Sequence, residues 1–282
     1  MSLQIGTIHS MKVKEQLNDF YMLEKGSNEV ELPIEGNENL AVDDDVQVFI
    51  YKNREEKVVA STKIPHVIDG VYDWAEVVDV IPRLGIFVNI GTDVEVLVPN
   101  SELPTYERAR PLPEDKLYVT LTLDKQERLL CRVAKETTFG DVIRVATNVN
   151  LNDKVKGTII RTDREGAVVL TEEGYRGFIH HSEREREPRL GQAVTGRVIE
   201  VKENGTINVS LLPMKHERMG DDAEKIFAYI EKSGGVIPYS NKSDPDEIRE
   251  TFQMSKSAFK RALGKLMKED KVEQRDEKTW RL

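Results

Sequence analysis

Short runs of β-branched and other apolar residues, not long amphipathic stretches, set the pattern of the chain from its start to about residue 211. The clearest five run over residues 155–162, 167–170, 175–180, 193–201 and 206–211. Gly157, Gly166, Gly174, Gly177 and the pair Asn204-Gly205 punctuate them, as strands joined by tight turns require. Five strands in so short a span predict a small closed barrel, which removes the exposed edges of an open sheet. The pattern recurs upstream at 75–80, 84–88, 96–103, 116–123 and 128–132. A fainter copy lies at 4–9, 19–24, 29–33, 45–51 and 57–61, with turns at Gly26 and Gly36-Asn37. Repetition of one unit predicts a tandem array.

The period then changes. Ala223, Ile226, Phe227 and Ile230 recur at helical spacing, as do Phe259, Leu263, Leu266 and Met267. Between them Ser243-Asp244-Pro245-Asp246-Glu247 carries a capping residue, a proline and first-turn acids, the start of a helix with Ile248 and Phe252 on its apolar side. Residues 271–276 and 278–282 read as a hairpin. Three helices followed by a hairpin resemble a winged helix. The expected fold class is therefore mainly β with a C-terminal α+β domain, divided at 1–63, 67–138, 150–214 and 219–282. The connectors 62–66 and 135–151 are short and not low-complexity, which predicts a semi-rigid array.

The segments of the third barrel carry a recognisable series. Gly157-Thr158-Ile159, Glu165-Gly166-Ala167-Val168-Val169, Gly177-Phe178-Ile179-His180-His181-Ser182-Glu183, the strand from Gly191 to Val201 and Thr206-Ile207-Asn208-Val209-Ser210-Leu211 come in order. They resemble the OB-fold RNA-binding repeat of ribosomal protein S-one. Leu84–Val88, then Val98-Pro99-Asn100-Ser101-Glu102-Leu103, repeat the series in the second barrel. The resemblance implies an RNA face built from an aromatic on strand two, a histidine on strand three and an acidic residue four before a basic one at strand five. Flat side chains stack bases while the cation meets phosphate. Carried over by position, the face is Phe87, Asp124 and Arg128 in the second barrel, with Pro99 in the histidine place. In the third barrel it is His180 with Phe178 close by, Val168 in the aromatic place, and Lys202 and Thr206 for the charged pair. In the first it is Phe20, Asn53 and Lys57, with Pro33 replacing histidine. No barrel has the full set. The competing reading of Phe20, Phe87 and Phe178 is barrel core, since alternation buries every second strand residue.

Composition narrows the reading. With 39% hydrophobic and 32% charged residues the chain is that of a folded protein, and no run reaches the ~20 apolar residues of a membrane span. Residues 1–6 lack a basic region followed by an apolar one, so no leader is expected and a cytoplasmic location is. The net charge of −9 argues against a protein that simply coats nucleic acid. Residues 1–149 hold 16 Lys+Arg against 26 Asp+Glu, while residues 220–282 hold 13 of each. A phosphate-contacting surface must therefore be local. One such cluster lies on the third predicted helix, where Lys256, Lys260, Arg261, Lys265 and Lys268 stand against Glu269, with Arg275, Lys278, Trp280 and Arg281 on the wing. The alternative is a solvated face. Residues 255–258 offer no Arg, Asn or Gln for base readout, so phosphate contacts are expected.

Cys131, the sole cysteine, falls in a predicted strand and reads as a small buried hydrophobe. His180, His181 and Glu183 mimic a metal site, but the repeat pattern accounts for His180, Ser182 and Glu183; no metal or other cofactor is expected. No glycine-rich phosphate loop, nucleophile elbow or paired-carboxylate motif is present, so neither catalysis nor a small-molecule substrate is expected. Three S-one-like barrels before a winged helix resemble the conserved virulence factor B family of bacteria. That resemblance implies a cytoplasmic RNA-binding protein that influences expression of other genes, virulence factors among them, with single-stranded RNA as partner. The residues themselves leave two rivals, a DNA-binding regulator and an adaptor on the ribosome or RNA polymerase.

Overall fold

The computed structural model describes residues 3–53, 55–213 and 215–282, without the side chains of 215–221. Met1 and Ser2, the first of the residues read for a leader, lie outside it. The chain divides into two compact units, Met1–Leu211 and Leu212–Leu282.

The first unit holds three closed five-stranded barrels. Barrel 1 comprises β1 (Ile8–Gln16), β2 (Phe20–Lys25), β3 (Asn28–Pro33), β4 (Asp45–Lys52) and β5 (Val58–Ser61). Barrel 2 comprises β6 (Asp73–Ile81), β7 (Gly85–Asn89), β8 (Val96–Pro99), β9 (Lys116–Leu123) and β10 (Leu129–Val133). Barrel 3 comprises β11 (Lys154–Thr162), β12 (Gly166–Thr171), β13 (Arg176–His180), β14 (Ala193–Val201) and β15 (Ile207–Ser210). In each, the first strand pairs with the second and fourth, and the third meets the fifth in the one parallel contact. The opening strand also bulges at one register in all three, between Val13 and Glu15, Val77 and Asp79, and Ile159 and Arg161. A shared bulge bends each strand at the same place and helps it wrap around its barrel.

Two sequence expectations are corrected here. The first strand of barrel 1 runs Ile8–Gln16, not 4–9. Its core residues Met11 and Val13 are hidden among Lys12, Lys14, Glu15 and Gln16, and the bulge breaks the period of two after Val13. The third strand of barrel 2 stops at Pro99, where the chain turns into a single 3-10 turn, Asn100–Glu102.

The barrels pack directly on one another. Strand β4 sends Val48 and Ile50 into barrel 1, while Phe49 and Tyr51, with Val59 of β5, join the buried cluster that fills barrel 2. Lys52 donates to the Gln126 carbonyl at 2.8 Å, and Asp93 accepts from Ser61 Oγ at 2.5 Å and pairs with Lys63 at 2.6 Å. Between barrels 2 and 3 the connector is a wedge: its 3-10 segment Glu136–Asp141 places Phe139, 1% exposed, against Tyr118 and Trp74 at ring distances of 4.8 and 6.2 Å. Glu136 bridges Arg161 and Arg176, and Arg189 grips the buried carboxylate of Asp115 with two bonds of 2.8 and 2.9 Å.

The second unit contains α1 (Lys215–Lys232), β16 (Val236–Ile237), α2 (Pro245–Phe252), α3 (Lys256–Lys268), β17 (Val272–Arg275) and β18 (Lys278–Arg281). Asp244 caps α2 by accepting from the Asp246 amide at 2.8 Å, with Pro245 in the first turn, and Ser255 caps α3. Both caps satisfy amides that the helix itself leaves unpaired. Ile226, Ile230, Ile248, Phe259, Leu263 and Leu266 form the core. The hairpin turns at Asp276 and Glu277, both at positive φ, and β16 adds a third strand that is too short to leave a periodic signal in the sequence. This is a winged helix.

Candidate nucleic-acid interface

Register aligns the outer faces of the three barrels residue by residue. On β7, Ile86 and Val88 are 1% and 0% exposed, so Phe87 between them points away from the barrel interior and is half-buried. Phe87 pairs with Leu97, and Leu97 with Leu130. Leu130 precedes the core residue Cys131, so it faces outward, with Arg128 and Arg132 two residues to either side on the same face. Barrel 2 thus carries an apolar row, Phe87–Leu97–Leu130, beside two exposed guanidinium groups. Leu97, Leu130 and Arg132 were absent from the sequence-based set. Period two along β10 gives Leu130 and Arg132 from Arg128, whereas Leu97 needs the cross-strand register.

The corresponding row in barrel 3 is Val168–Phe178–Asn208. It points outward as well, but the wedge covers its first member, Val168, and leaves Phe178 and Asn208 half-buried. Val168 is 0% exposed in the cluster built around Phe139, Ile160 and Leu170, and Phe178 packs against that cluster. Phe178 is therefore not barrel core, and its ring lies where a Gly166 side chain would stand. Beyond it, exposed His180 accepts from the Ser182 amide through Nδ1 at 3.3 Å and shares a 2.8 Å hydrogen bond with Ser182 Oγ. The ring of His181 is 4.1 Å away. The barrel with the clearest sequence signature therefore keeps this edge fully open and the rest of its row half-buried or covered.

In barrel 1 the row is Met22–Glu31–Val59. Val13 pairs with Leu23 just as Val77 pairs with Val88, which makes Met22, not Phe20, the counterpart of Phe87. Phe20 stands instead opposite Pro33, in the place held by Gly85 opposite Pro99 and Gly166 opposite His180. The carry-over of Phe20 as the aromatic position is thereby corrected: Phe20 lies two residues before Met22 on the same face of β2, so alternation alone does not separate the two and the cross-strand register does. The same pairs do place Pro33 and Pro99 at the histidine position.

The charged pairs prove to be the two ends of one turn. Asn53, Asp124 and Lys202 each donate their amide to the carbonyl four residues on, Lys57, Arg128 and Thr206, at 2.9, 3.0 and 2.9 Å. Asp124 Oδ1 accepts from the amides of Gln126 and Arg128, and Oδ2 from Arg128 Nε at 2.8 Å. Partial burial would raise its carboxyl, but these donors hold it below the usual carboxylate range. Asp124 therefore organises the turn and aims Arg128, which is 59% exposed. Lys57 is exposed near Glu55, 3.7 Å away, and Lys202 is exposed.

On α3, Lys260, Arg261 and Lys268 are exposed and form no ion pair among the described residues. Lys256 donates to the Lys242 carbonyl at 3.4 Å, and Lys265 lies 3.9 Å from Glu269. Arg275 lies over the Trp280 ring at 5.2 Å. Among the described residues no group of three His, Cys, Asp or Glu side chains is gathered to hold a metal, and no helix is long and apolar enough to cross a membrane.

Comparison with known proteins agrees with this architecture. Family models match in order along the chain: the S1 domain over residues 5–63, the CvfB first S1-like domain over 72–132, the second domain of virulence regulatory factor CvfB over 139–213, and the CvfB-like winged helix domain over 224–280. A Bacillus subtilis protein, YitL, is 42% identical over 97% of this chain and 92% of its own length. Conserved virulence factor B of Staphylococcus aureus is 35% identical over 94% of this chain and 90% of its own. A crystal structure of a multidomain Streptococcus pneumoniae protein with nucleic acid binding domains superposes with a TM-score of 0.68 at 33% identity, covering 99% of this chain and 98% of that one. The domain content is that of nucleic-acid-binding proteins, not of enzymes. The chain belongs to the conserved virulence factor B family.

Proposed function

We propose that this protein binds single-stranded RNA in the cytoplasm and regulates expression of other genes after transcription, virulence factors among them. The observation that carries the reading is the Phe87–Leu97–Leu130 row with Arg128 and Arg132 beside it. A flat aromatic flanked by aliphatic side chains stacks unpaired bases of any sequence, and the guanidinium groups meet the phosphates. Barrel 2 presents an aromatic in this row where barrel 3 has the covered Val168 and barrel 1 has Met22 beside Glu31. In the winged helix, Lys260, Arg261 and Lys268 supply phosphate contacts, not base readout. The helix N-terminus offers Ser255, spent as a cap, and Lys256, tied to a carbonyl.

The test is competition between labelled oligouridylate and duplex DNA for the full chain, with variants of the row. Phe87→Ala is expected to weaken RNA binding by ~1–3 kcal/mol, the worth of one stacked base, and to leave folding nearly unchanged because the ring lies outside the barrel core. Arg132→Ala should also flatten the salt slope by about 0.7, one phosphate contact on a single strand. Preference for duplex DNA, insensitive to Phe87, would assign recognition to the winged helix and the protein to transcriptional control.

A further inference from the structure

The outer face of barrel 1 has the same position on its barrel as the RNA row of barrel 2, but opposite chemistry. Met22 is flanked in register by Glu15 of β1 and Glu31 of β3. Two residues along, Glu24 stands between Lys12 of β1 and Glu29 of β3, and Glu29 is itself paired with Lys14. Phe20 and Pro33 extend the apolar centre on the other side. Met22 and Phe20 are half-buried and lie outside the buried cluster of the barrel, which Tyr21, Leu23, Val30 and Leu32 fill from the opposite side of the same strands. The nearby lysines are already engaged: Lys12 with Asp43 at 3.8 Å, Lys14 with Glu29, and Lys57 with Glu55 at 3.7 Å. Glu15, Glu24 and Glu31 have no ion pair among the described residues, and Glu24 and Glu15 add to the pull of Glu29 that raises Lys14 above its ordinary value. A sheet face with an apolar centre and more carboxylates than lysines around it repels a phosphate backbone and attracts cations.

We propose that this face docks a lysine- or arginine-rich segment of a partner protein, so that barrel 1 binds protein while barrel 2 binds RNA. Long basic side chains match it in both parts: their methylene stems cover Phe20, Met22 and Pro33, and their charged heads reach Glu15, Glu24 and Glu31. Residues 1–63 as a whole carry 7 Lys+Arg against 12 Asp+Glu, which favours encounter with such a segment over RNA.

The experiment titrates the full chain with a labelled oligolysine peptide and, separately, with labelled oligouridylate. Glu15→Gln with Glu31→Gln should lower peptide affinity about tenfold, from the loss of two exposed ion pairs, and leave RNA affinity within about twofold. Met22→Ser, which changes no charge, should lower peptide affinity about threefold through lost stem packing. Glu95→Gln with Glu114→Gln, an equal charge change on barrel 2, should leave peptide affinity within about twofold. Equal losses in the two double variants would show diffuse attraction and overturn the proposal. So would loss of RNA affinity in the Glu15/Glu31 variant, or self-association of the wild type that this variant abolishes. Each readout stands whether or not Phe87 binds RNA.

Discussion

Replacing Phe139 by alanine tests whether the segment between barrels 2 and 3 is a wedge or a linker. The ring is 1% exposed and touches both barrels: Tyr118 and Trp74 on one side, Ile160, Val168 and Leu170 on the other. Fully buried Phe→Ala changes cost ~3–5 kcal/mol from lost transfer and from the cavity left behind. Two barrels pinned by Asp115–Arg189 and by Glu136 cannot close freely over that cavity, so about 4 kcal/mol is expected for the first unit. Phe139→Leu, which keeps most of the volume, should cost about 1 kcal/mol. The assay is urea unfolding followed by tryptophan fluorescence in a Trp280→Phe background, where Trp74 becomes the sole reporter because the chain has two tryptophans. Trp74 sits in the junction, so the alanine variant should shift the midpoint and red-shift the native emission as water enters. A loss below about 1 kcal/mol with unchanged emission would refute the wedge. It would also remove the reason that Val168 is closed to ligand.

Arg189→Ala leaves the Asp115 carboxylate buried with the Leu112 amide as its remaining donor among the described residues, and should cost about 2–3 kcal/mol in the same assay; Asp115→Ala and the double variant complete the cycle. Asp124 is held below the ordinary carboxylate range, so it stabilises the folded state above pH ~4 and that contribution is lost as pH falls through its lower folded value. Melting temperatures of the wild type and Asp124→Asn should therefore differ at neutral pH and converge in acid; a constant gap would contradict this. Burial pushes the Cys131 thiol up to about 12, so it should resist a thiol reagent in the native protein and react once unfolded.

Much of this fold was legible in the sequence, for local reasons. Gly157, Gly166 and Gly177 lie where strands approach too closely for a side chain, so barrel 3 announced itself through its glycines. Asp244-Pro245 and Ser255 marked helix starts because a cap is a purely local device. The turn partners Asp124 and Arg128 followed from the repeat's acidic–basic spacing, which survives because both ends of it lie in one hairpin. What escaped depends on distant strands. Leu97 and Leu130 share a row through a parallel contact between segments over thirty residues apart, and no local pattern encodes that register. The charged residues around Met11 and Val13 hid the first strand, and Phe20 and Met22 share one face of β2, so only pairing with β1 tells which of them holds the aromatic place. The covering of Val168 lay furthest from view, since it arises where one barrel meets another, whereas the strand signature of barrel 3 reports only its own closure.

The central claim is that of the three barrels the second holds RNA on its Phe87 face. Photocross-linking the full-length protein to thiouridine-substituted single-stranded RNA, with the modified peptides mapped by mass spectrometry, tests it most directly. The account predicts cross-links concentrated on β7, β8 and β10, around Phe87, Leu97 and Leu130, with a weaker set at Phe178 and His180 and none on the Met22–Glu31 face of barrel 1. Cross-links centred on barrel 1, or confined to α3 and the wing with barrel 2 unmarked, would contradict it.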